Sequence, residues 1–309
     1  MTQNNTPAPE SLIAELTQLV GQDKVLLNEP MSRHTTFQIG GPVDAMVLPG
    51  TEEQAAAVIR ACAAAGVTPW LIGLGSNLLV SDDGLRGVAV KLAQNLADVQ
   101  VDGDRLICQA GASNEQVAAI ALEHGLAGYE FASGIPGTIG GAAIMNAGAY
   151  DGDFSTVAES VRCVTPAGEL VEVSAADAAW SYRHSMMMDA GYLVVGATLR
   201  LTPDDPAAIK ARMDDLRERR ESKQPLEMPS AGSTFKRPEG YFAGKLIQDS
   251  GCQGLSVGGA QVSTKHAGFV VNTGGATAAD VLGLIKAVQE RVMEHDGVAM
   301  EPEVRMWGF

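Results

Sequence analysis

Apolar positions recur at helical spacing from Ser11, at Leu12, Ile13, Leu16, Leu19 and Val20. That spacing predicts an amphipathic helix after a loose tail over residues 1–10. Thr51-Glu-Glu-Gln54 has the form of a capping box ahead of the apolar stretch Ala55–Ala65, and predicts a second helix. Pro69-Trp-Leu-Ile-Gly73 is a short apolar run that ends in a glycine turn. From Gly87 the pattern changes to short β-like runs, at Val88–Leu92, Val99–Val101 and Leu106–Ala110. Ser113-Asn-Glu-Gln116 then opens another helix. Val157–Thr165 and Leu170–Val173 flank Pro166-Ala-Gly-Glu169 as a hairpin, and Tyr192–Leu201 closes the section. Thr202-Pro-Asp-Asp-Pro206 is a breaker cluster. Beyond it come a helix over 207–223, the run Ala231–Phe235, a helix over 241–250, a strand over 268–272 and a helix from Thr277 to about Glu294. These read as a smaller α+β domain over 205–300, with Glu301–Phe309 as a final strand. No internal repeat or low-complexity segment interrupts the chain.

The stretch Ala132–Tyr150 breaks every period. It holds Gly134, Gly137, Gly140, Gly141 and Gly148 beside Ser133, Ile135, Pro136, Thr138 and Asn146, with no charge before Asp151. Glycine lets main chain approach a ligand closely, and successive N–H groups in such a loop converge on anions, most often phosphate. Gly73-Leu74-Gly75-Ser76-Asn77-Leu78 is a second candidate. Alone it reads as a tight turn, because it lacks the third glycine of a dinucleotide fingerprint. Two cradles together point to a ligand with a pyrophosphate bridge.

Composition narrows the classes. The chain has 309 residues, room for two or three domains, and 35 glycines, well above the roughly 7% that is usual. Its formal net charge of −15 opposes nucleic acid and anionic membranes as partners, so an anionic ligand needs a local basic cluster. The four cysteines, Cys62, Cys108, Cys163 and Cys252, have neither zinc nor disulfide spacing. His34 and His184 lack ligand spacing as well and read as non-metal residues. No signal peptide pattern and no membrane-length apolar run is seen, which predicts a cytoplasmic protein.

Several side chains carry candidate chemistry. Arg183, in Trp180-Ser-Tyr-Arg-His-Ser185, stays cationic at any working pH and can grip a carboxylate through two parallel bonds. Ser233, in Ala231-Gly-Ser-Thr-Phe-Lys236, has no nucleophile elbow around it, but a hydroxyl can give a proton to a strongly basic carbon. Glu301 and Glu303 share one face if Glu301-Pro-Glu-Val-Arg305 is a strand. Basic residues at 217–223, with Lys236, Arg237 and Lys245, are either an anion site or an ordinary salt-bridged surface.

Six stretches in fixed order resemble the UDP-N-acetylenolpyruvoylglucosamine reductase family. They are His34-Thr-Thr-Phe-Gln-Ile-Gly-Gly-Pro42, Gly73–Val80, Ala132–Ala149, Ser181-Tyr-Arg183, Ala231–Lys236 and Glu301–Arg305. The resemblance runs from about residue 31 to the C-terminus. It implies an α+β fold: a two-domain FAD-binding unit of the vanillyl-alcohol-oxidase/PCMH type, 1–82 with strand 301–309 and 83–204, plus the smaller α+β substrate domain. FAD would be noncovalent, in keeping with the absence of histidine from 73–80, and would touch Gly73–Leu78, Ser133–Thr138, Gly140, Gly141, Asn146 and Gly148. The family uses NADPH to reduce the enolpyruvyl ether of UDP-N-acetylglucosamine to UDP-N-acetylmuramate, with hydride passing from flavin N5 to C3.

Carried onto this chain by motif, Arg183 holds the enolpyruvyl carboxylate, Ser233 delivers the proton to C2, and Glu303 supports the enolate. The chain looks like the shorter type of the family, without the tyrosine loop of longer members. Tyr182, Lys223, Lys236, Arg237 and Lys245 are then the candidates for substrate binding, with Tyr241 as a helper. No separate motif exists for NADPH, so it is expected to use the substrate's site in turn, in a monomer. Two other readings stay open at the level of residues: another FAD oxidoreductase of the same superfamily, and a nucleotide-sugar binding protein without redox function.

Overall fold

Both expected capping sequences start helices, each through half of the box. In the computed structural model, which describes residues 6–309, Thr51 Oγ1 accepts from the Gln54 N–H at 3.1 Å and opens Glu52–Ala64. Ser113 Oγ accepts from the Gln116 N–H at 3.0 Å and opens Asn114–Glu123. The glutamines reach elsewhere: Gln54 Oε1 accepts from the Gly50 N–H at 2.8 Å, and Gln116 Nε2 donates to Ala97 O at 3.1 Å. A complete box occurs at Thr277 with Asp280, where helix Ala278–Asp296 begins.

The described chain up to Asn28, with Asp44–Leu74 and Gly87–Arg219, folds as one compact unit. Its four-stranded sheet, which lies mostly within these residues, runs Val25–Pro30, Pro42–Val47, Leu85–Lys91, Trp70–Ile72 in order. Trp70–Ile72 pairs parallel with Leu85–Lys91, with Trp70 opposite Ala89. A second, antiparallel sheet has the order Leu170–Ser174, Ala158–Val164, Leu193–Arg200, Arg105–Gln109, Val99–Asp102. One continuous apolar cluster joins these layers, with Leu16, Val58, Leu106, Tyr129, Phe154 and Val195 at its centre. Arg162 fastens helix Glu52–Ala64 to the antiparallel sheet, with Nε and Nη2 each 3.0 Å from Glu52 Oε1. A Cβ at Gly196 would stand 2.1 Å from that guanidinium, so glycine is required there.

Glu29–Val43, Gly75–Arg86 and Arg220–Phe309 form the other unit. Its antiparallel sheet runs Ser230–Ser233, Phe269–Asn272, Ala260–Val262, Ser256–Val257. Helix Ala278–Asp296 buries Val281, Leu284, Ile285, Val288 and Val292 in the core with Phe37, Leu79, Phe235 and Val304. The Asp82 carboxylate accepts from the Ala278 and Ala279 N–H groups, at 2.8 and 3.1 Å, a favourable place for negative charge. Leu78–Val80 pairs parallel with Arg305–Trp307.

Most expected elements form within two or three residues of their predicted places. The hairpin turn closes as expected, with Gly168 N–H donating to Thr165 O at 2.8 Å. The final strand is shorter than expected, because Pro302 has no N–H for a ladder and leaves only an isolated bridge to Phe235. Half of the expected glycine loop is a helix, Ile139–Met145. Strands Val25–Pro30 and Pro42–Val47 had no clean alternation to announce them. Among the described residues, no helix is long and apolar enough to cross a membrane.

Glu159 sits between two arginines of the antiparallel sheet, 2.8 Å from Arg105 Nε and 2.9 Å from Arg200 Nε. Hydrogen bonds from Arg105 and then Arg200 lower its pKa from 4.5 to about 2. The folded value lies below the unfolded one, so the stabilisation is present above about pH 4.5 and fades as pH falls toward 2. In Glu159→Gln, the gap in urea midpoint from the parent should therefore be widest above pH 4.5 and close on acidification. A gap that stays constant across that range would refute a charge-dependent role.

Candidate active site

The glycine-rich segment belongs wholly to the first unit. Asn114 organises its approach: Asn114 Nδ2 donates to Ile135 O at 3.2 Å, its N–H donates to Gly137 O at 3.1 Å, and its Oδ1 accepts from Tyr129 Oη at 2.8 Å. Both Asn114 and Tyr129 are almost fully buried. Among the described residues, no hydrogen bond uses the N–H of Gly134, Gly137 or Thr138. Thr138 as a residue is only 4% exposed, and its N–H has no acceptor among the described residues. Such donors are rare and call for a partner, and a diphosphate such as that of FAD would fit them. The fit extends to Gly73, where an added Cβ would fall 2.7 Å from Thr138 Oγ1.

Other members of the segment have structural work. Thr138 caps Ile139–Met145, and Gly140 donates to Ala110 O at 2.9 Å, where a Cβ would press on the Ala110 side chain. Gly141 is exposed, and a Cβ there would meet Thr138 Oγ1 at an ordinary 3.7 Å. Asn146 ends the helix in the left-handed region, and Gly148 packs against Gly152 and Asp153. Ser133 Oγ donates to Glu130 O at 2.8 Å.

Arg183 is carried by the same unit, on a tight hairpin closed by Ser181 and His184. Its backbone is left-handed at φ 57°, its Nη2 donates to Gly148 O at 3.2 Å, and its guanidinium lies 5.1 Å from the Tyr182 ring centroid. Trp180 Nε1 donates to Ala143 O and Ser185 Oγ to Ile144 O, both at 2.8 Å. The Ala132–Ala149 and Trp180–Ser185 motifs are thus one structural object. Sequence reasoning missed Asn114, Trp180 and Ser185. A polar side chain at the inward position of a helix start was the available signal for Asn114.

In the second unit, Gly75 adopts φ 70°, and a Cβ there would stand 2.1 Å from His34 O. The His34–Pro42 motif is therefore the seat of this turn. Asn77 Nδ2 donates to Glu303 O at 3.2 Å, and Arg305 N–H to Asn77 O at 3.0 Å. Leu78 enters the core as strand, with its side chain buried.

Ser233 ends its strand opposite Phe269, beside a bulge at Gly232, and is exposed. Among the described residues its hydroxyl makes no hydrogen bond. The adjoining Thr234 O accepts from the Glu303 N–H at 2.8 Å, which brings the Ser233 and Glu303 segments side by side. Glu301 behaves differently: it is exposed and paired with Lys236.

The basic candidates are largely engaged. Lys245 pairs with Asp249 one helical turn on, and Arg237 donates to Tyr241 O at 3.1 Å with its guanidinium 4.0 Å from the Phe242 ring centroid. Tyr182 and Tyr241 are exposed. Lys223 ends helix Pro206–Lys223. Burial, and then the Lys223 charge, hold the His266 pKa below its usual value, while His266 Nδ1 accepts from the Gly268 N–H at 3.0 Å.

Residues 43–174 match the profile of the FAD binding domain. With the unsatisfied amides of its glycine-rich segment, this defines a flavoprotein oxidoreductase. Residues 224–307 match the profile of the C-terminal domain of UDP-N-acetylenolpyruvoylglucosamine reductase. A curated protein of that name from Exiguobacterium sibiricum is 48% identical over 97% of this chain and 98% of its own length. One from Caldanaerobacter subterraneus subsp. tengcongensis is 46% identical over 97% and 99%. The crystal structure of the reductase from Thermus caldophilus superposes with a TM-score of 0.80 at 32% identity, covering 92% of this chain and 98% of that one. The chain belongs to the UDP-N-acetylenolpyruvoylglucosamine reductase family, as its motifs implied: an enzyme of peptidoglycan precursor synthesis, with FAD as cofactor and a UDP-linked sugar as substrate.

Gly75→Ala tests the turn. A left-handed alanine costs on the order of 1–3 kcal/mol before the clash with His34 O is counted. The expected result is a lower Tm and less flavin absorbance per protein than the parent. Parental values of both would remove Gly75 from the cofactor cradle.

Proposed function

We propose that this chain converts the enolpyruvyl ether of UDP-N-acetylglucosamine to UDP-N-acetylmuramate at the expense of NADPH. The chemistry that noncovalently held FAD supplies is transfer of a hydride from NADPH to C3 of the enolpyruvyl group. Arg183 grips the enolpyruvyl carboxylate. As C3 gains its new bond, the C2–C3 π electrons move onto C2 and into that carboxylate, where a fixed guanidinium acts most strongly. Ser233 gives its hydroxyl proton to C2, and water restores the hydroxyl. Glu303 supports the enolate from the other side. The C2–H and C3–H bonds thus replace one double bond, with two electrons from NADPH and one proton from solvent through Ser233.

The observation that carries the reading is the unbonded, exposed hydroxyl of Ser233 beside the main-chain contact of Thr234 with Glu303. The same contact favours Glu303 over Glu301, whose carboxylate is taken by Lys236. Gly73–Leu78, Ser133–Thr138, Gly140, Gly141, Asn146 and Gly148 serve the cofactor through main-chain approach. Tyr182, Lys223, Lys236, Arg237 and Lys245 serve the UDP moiety, so Lys236 and Lys245 exchange their carboxylate partners for phosphate on binding. Residues 1–82 with 301–309, and 83–204, serve FAD, while 205–300 serve the substrate. NADPH and substrate use one site in turn, in a cytoplasmic monomer.

Ser233→Ala separates the half-reactions. Bleaching of the flavin by NADPH should proceed at near-parental rate, since it takes no proton from serine. Reoxidation by the enolpyruvyl substrate should slow by about 10²–10⁴-fold, the usual span for loss of a general acid. Equal slowing of both halves in stopped-flow absorbance would defeat the assignment.

A further inference from the structure

Arg183 holds a backbone conformation that a non-glycine residue keeps only when its surroundings impose it. Those surroundings are the exit of helix Ile139–Met145. Ala143 O and Ile144 O lie in its last turn, where carbonyls are short of helical partners, and they accept from Trp180 Nε1 and Ser185 Oγ. Asn146, 4% exposed and left-handed at φ 42°, sits at the centre. Its Oδ1 accepts from the Ser155 N–H at 2.9 Å, and its Nδ2 donates to Asp153 Oδ2 and Ser181 O, each at 3.3 Å. The amide of one asparagine therefore bonds the hairpin at Ser181, two residues before the arginine. Trp180 holds the other flank, with its ring edge-on to Phe154 at 5.7 Å.

We infer that Asn146, assisted by Trp180, is a positioning residue for Arg183: it fixes the guanidinium relative to the glycine-rich segment. The inference rests on the carboxylate-binding role proposed for Arg183. Asparagine suits this position twice over. It tolerates the left-handed conformation that ends the helix, and it carries a donor and an acceptor for two different segments. Its side chain then acts on the substrate's side of the reaction through Arg183, while the amides of Gly134, Gly137 and Thr138 attend to the cofactor.

Two variants isolate the effect. Asn146→Gly keeps the left-handed backbone unstrained and removes only the amide. Trp180→Phe keeps an aromatic ring against Phe154 and removes the N–H together with part of the indole's bulk. The holoenzyme of each is compared with its parent in rapid oxidation by the enolpyruvyl substrate at saturating concentration, alone and combined with Arg183→Ala. Flavin content is read from absorbance. Each single variant should retain flavin and lose about 10–100-fold in rate, the scale of an ångström-sized misplacement. Neither should cause a further loss when Arg183 is already alanine. An equal loss in both backgrounds, loss of flavin, or an unchanged rate would overturn the inference. Should Asn146→Gly fail to fold, Trp180→Phe decides by the same outcomes. A parental rate for Arg183→Ala alone would instead strike at the proposed role of the arginine, so the two failures are distinguishable.

Discussion

A main-chain N–H shut away from water must find an acceptor, and that of Thr138 finds none among the described residues. The glycine-rich segment is organised to keep it and its neighbours that way. Asn114, itself held by the Tyr129 hydroxyl, fixes the loop through the Ile135 and Gly137 carbonyls and not through the amides at 134, 137 and 138. Gly140 and Ile139 donate to the Ala110 and Ala112 carbonyls, just beyond strand Arg105–Gln109, and so anchor the helix start without consuming the donors at 134, 137 and 138. The fold thus divides its backbone into groups that hold the loop and groups left for an anion.

The second unit shows a similar economy of contact. Gly75 can lie against the His34 carbonyl only because it has no side chain, and the turn that follows delivers Asn77 to the Glu303 carbonyl. One short segment, 75–78, therefore links the His34–Pro42 motif to the C-terminal chain. Asp82, just beyond, anchors the N-terminus of the helix that covers this unit's sheet.

Much of this was legible in the chain. Elements with a clear period or a cap appeared where expected, because side-chain spacing alone selects them. The glycine-rich stretch was legible as a ligand loop but not as a helix, since Gly140 and Gly141 lower intrinsic helix propensity, and the close contact with Ala110 that makes the smallness of Gly140 useful is a tertiary one. The linkage of Arg183 to that helix was invisible, because it runs through tryptophan, serine and asparagine side chains bonded to carbonyls more than thirty residues away. The basic residues were legible as a group, while their ion pairing depends on helical and cross-strand neighbours that composition does not reveal.

The four cysteines are all buried and unpaired, and burial pushes the thiols of Cys62, Cys108 and Cys163 up to about 12. Thiolate, the reactive form, is scarce at such positions near neutral pH. Alkylating reagents therefore meet a chemically quiet surface on the native chain, and four reactive sulfurs once it opens. Their labelling rate is a native clock for how often each core breathes, with three reporters in the first unit and one, Cys252, in the second.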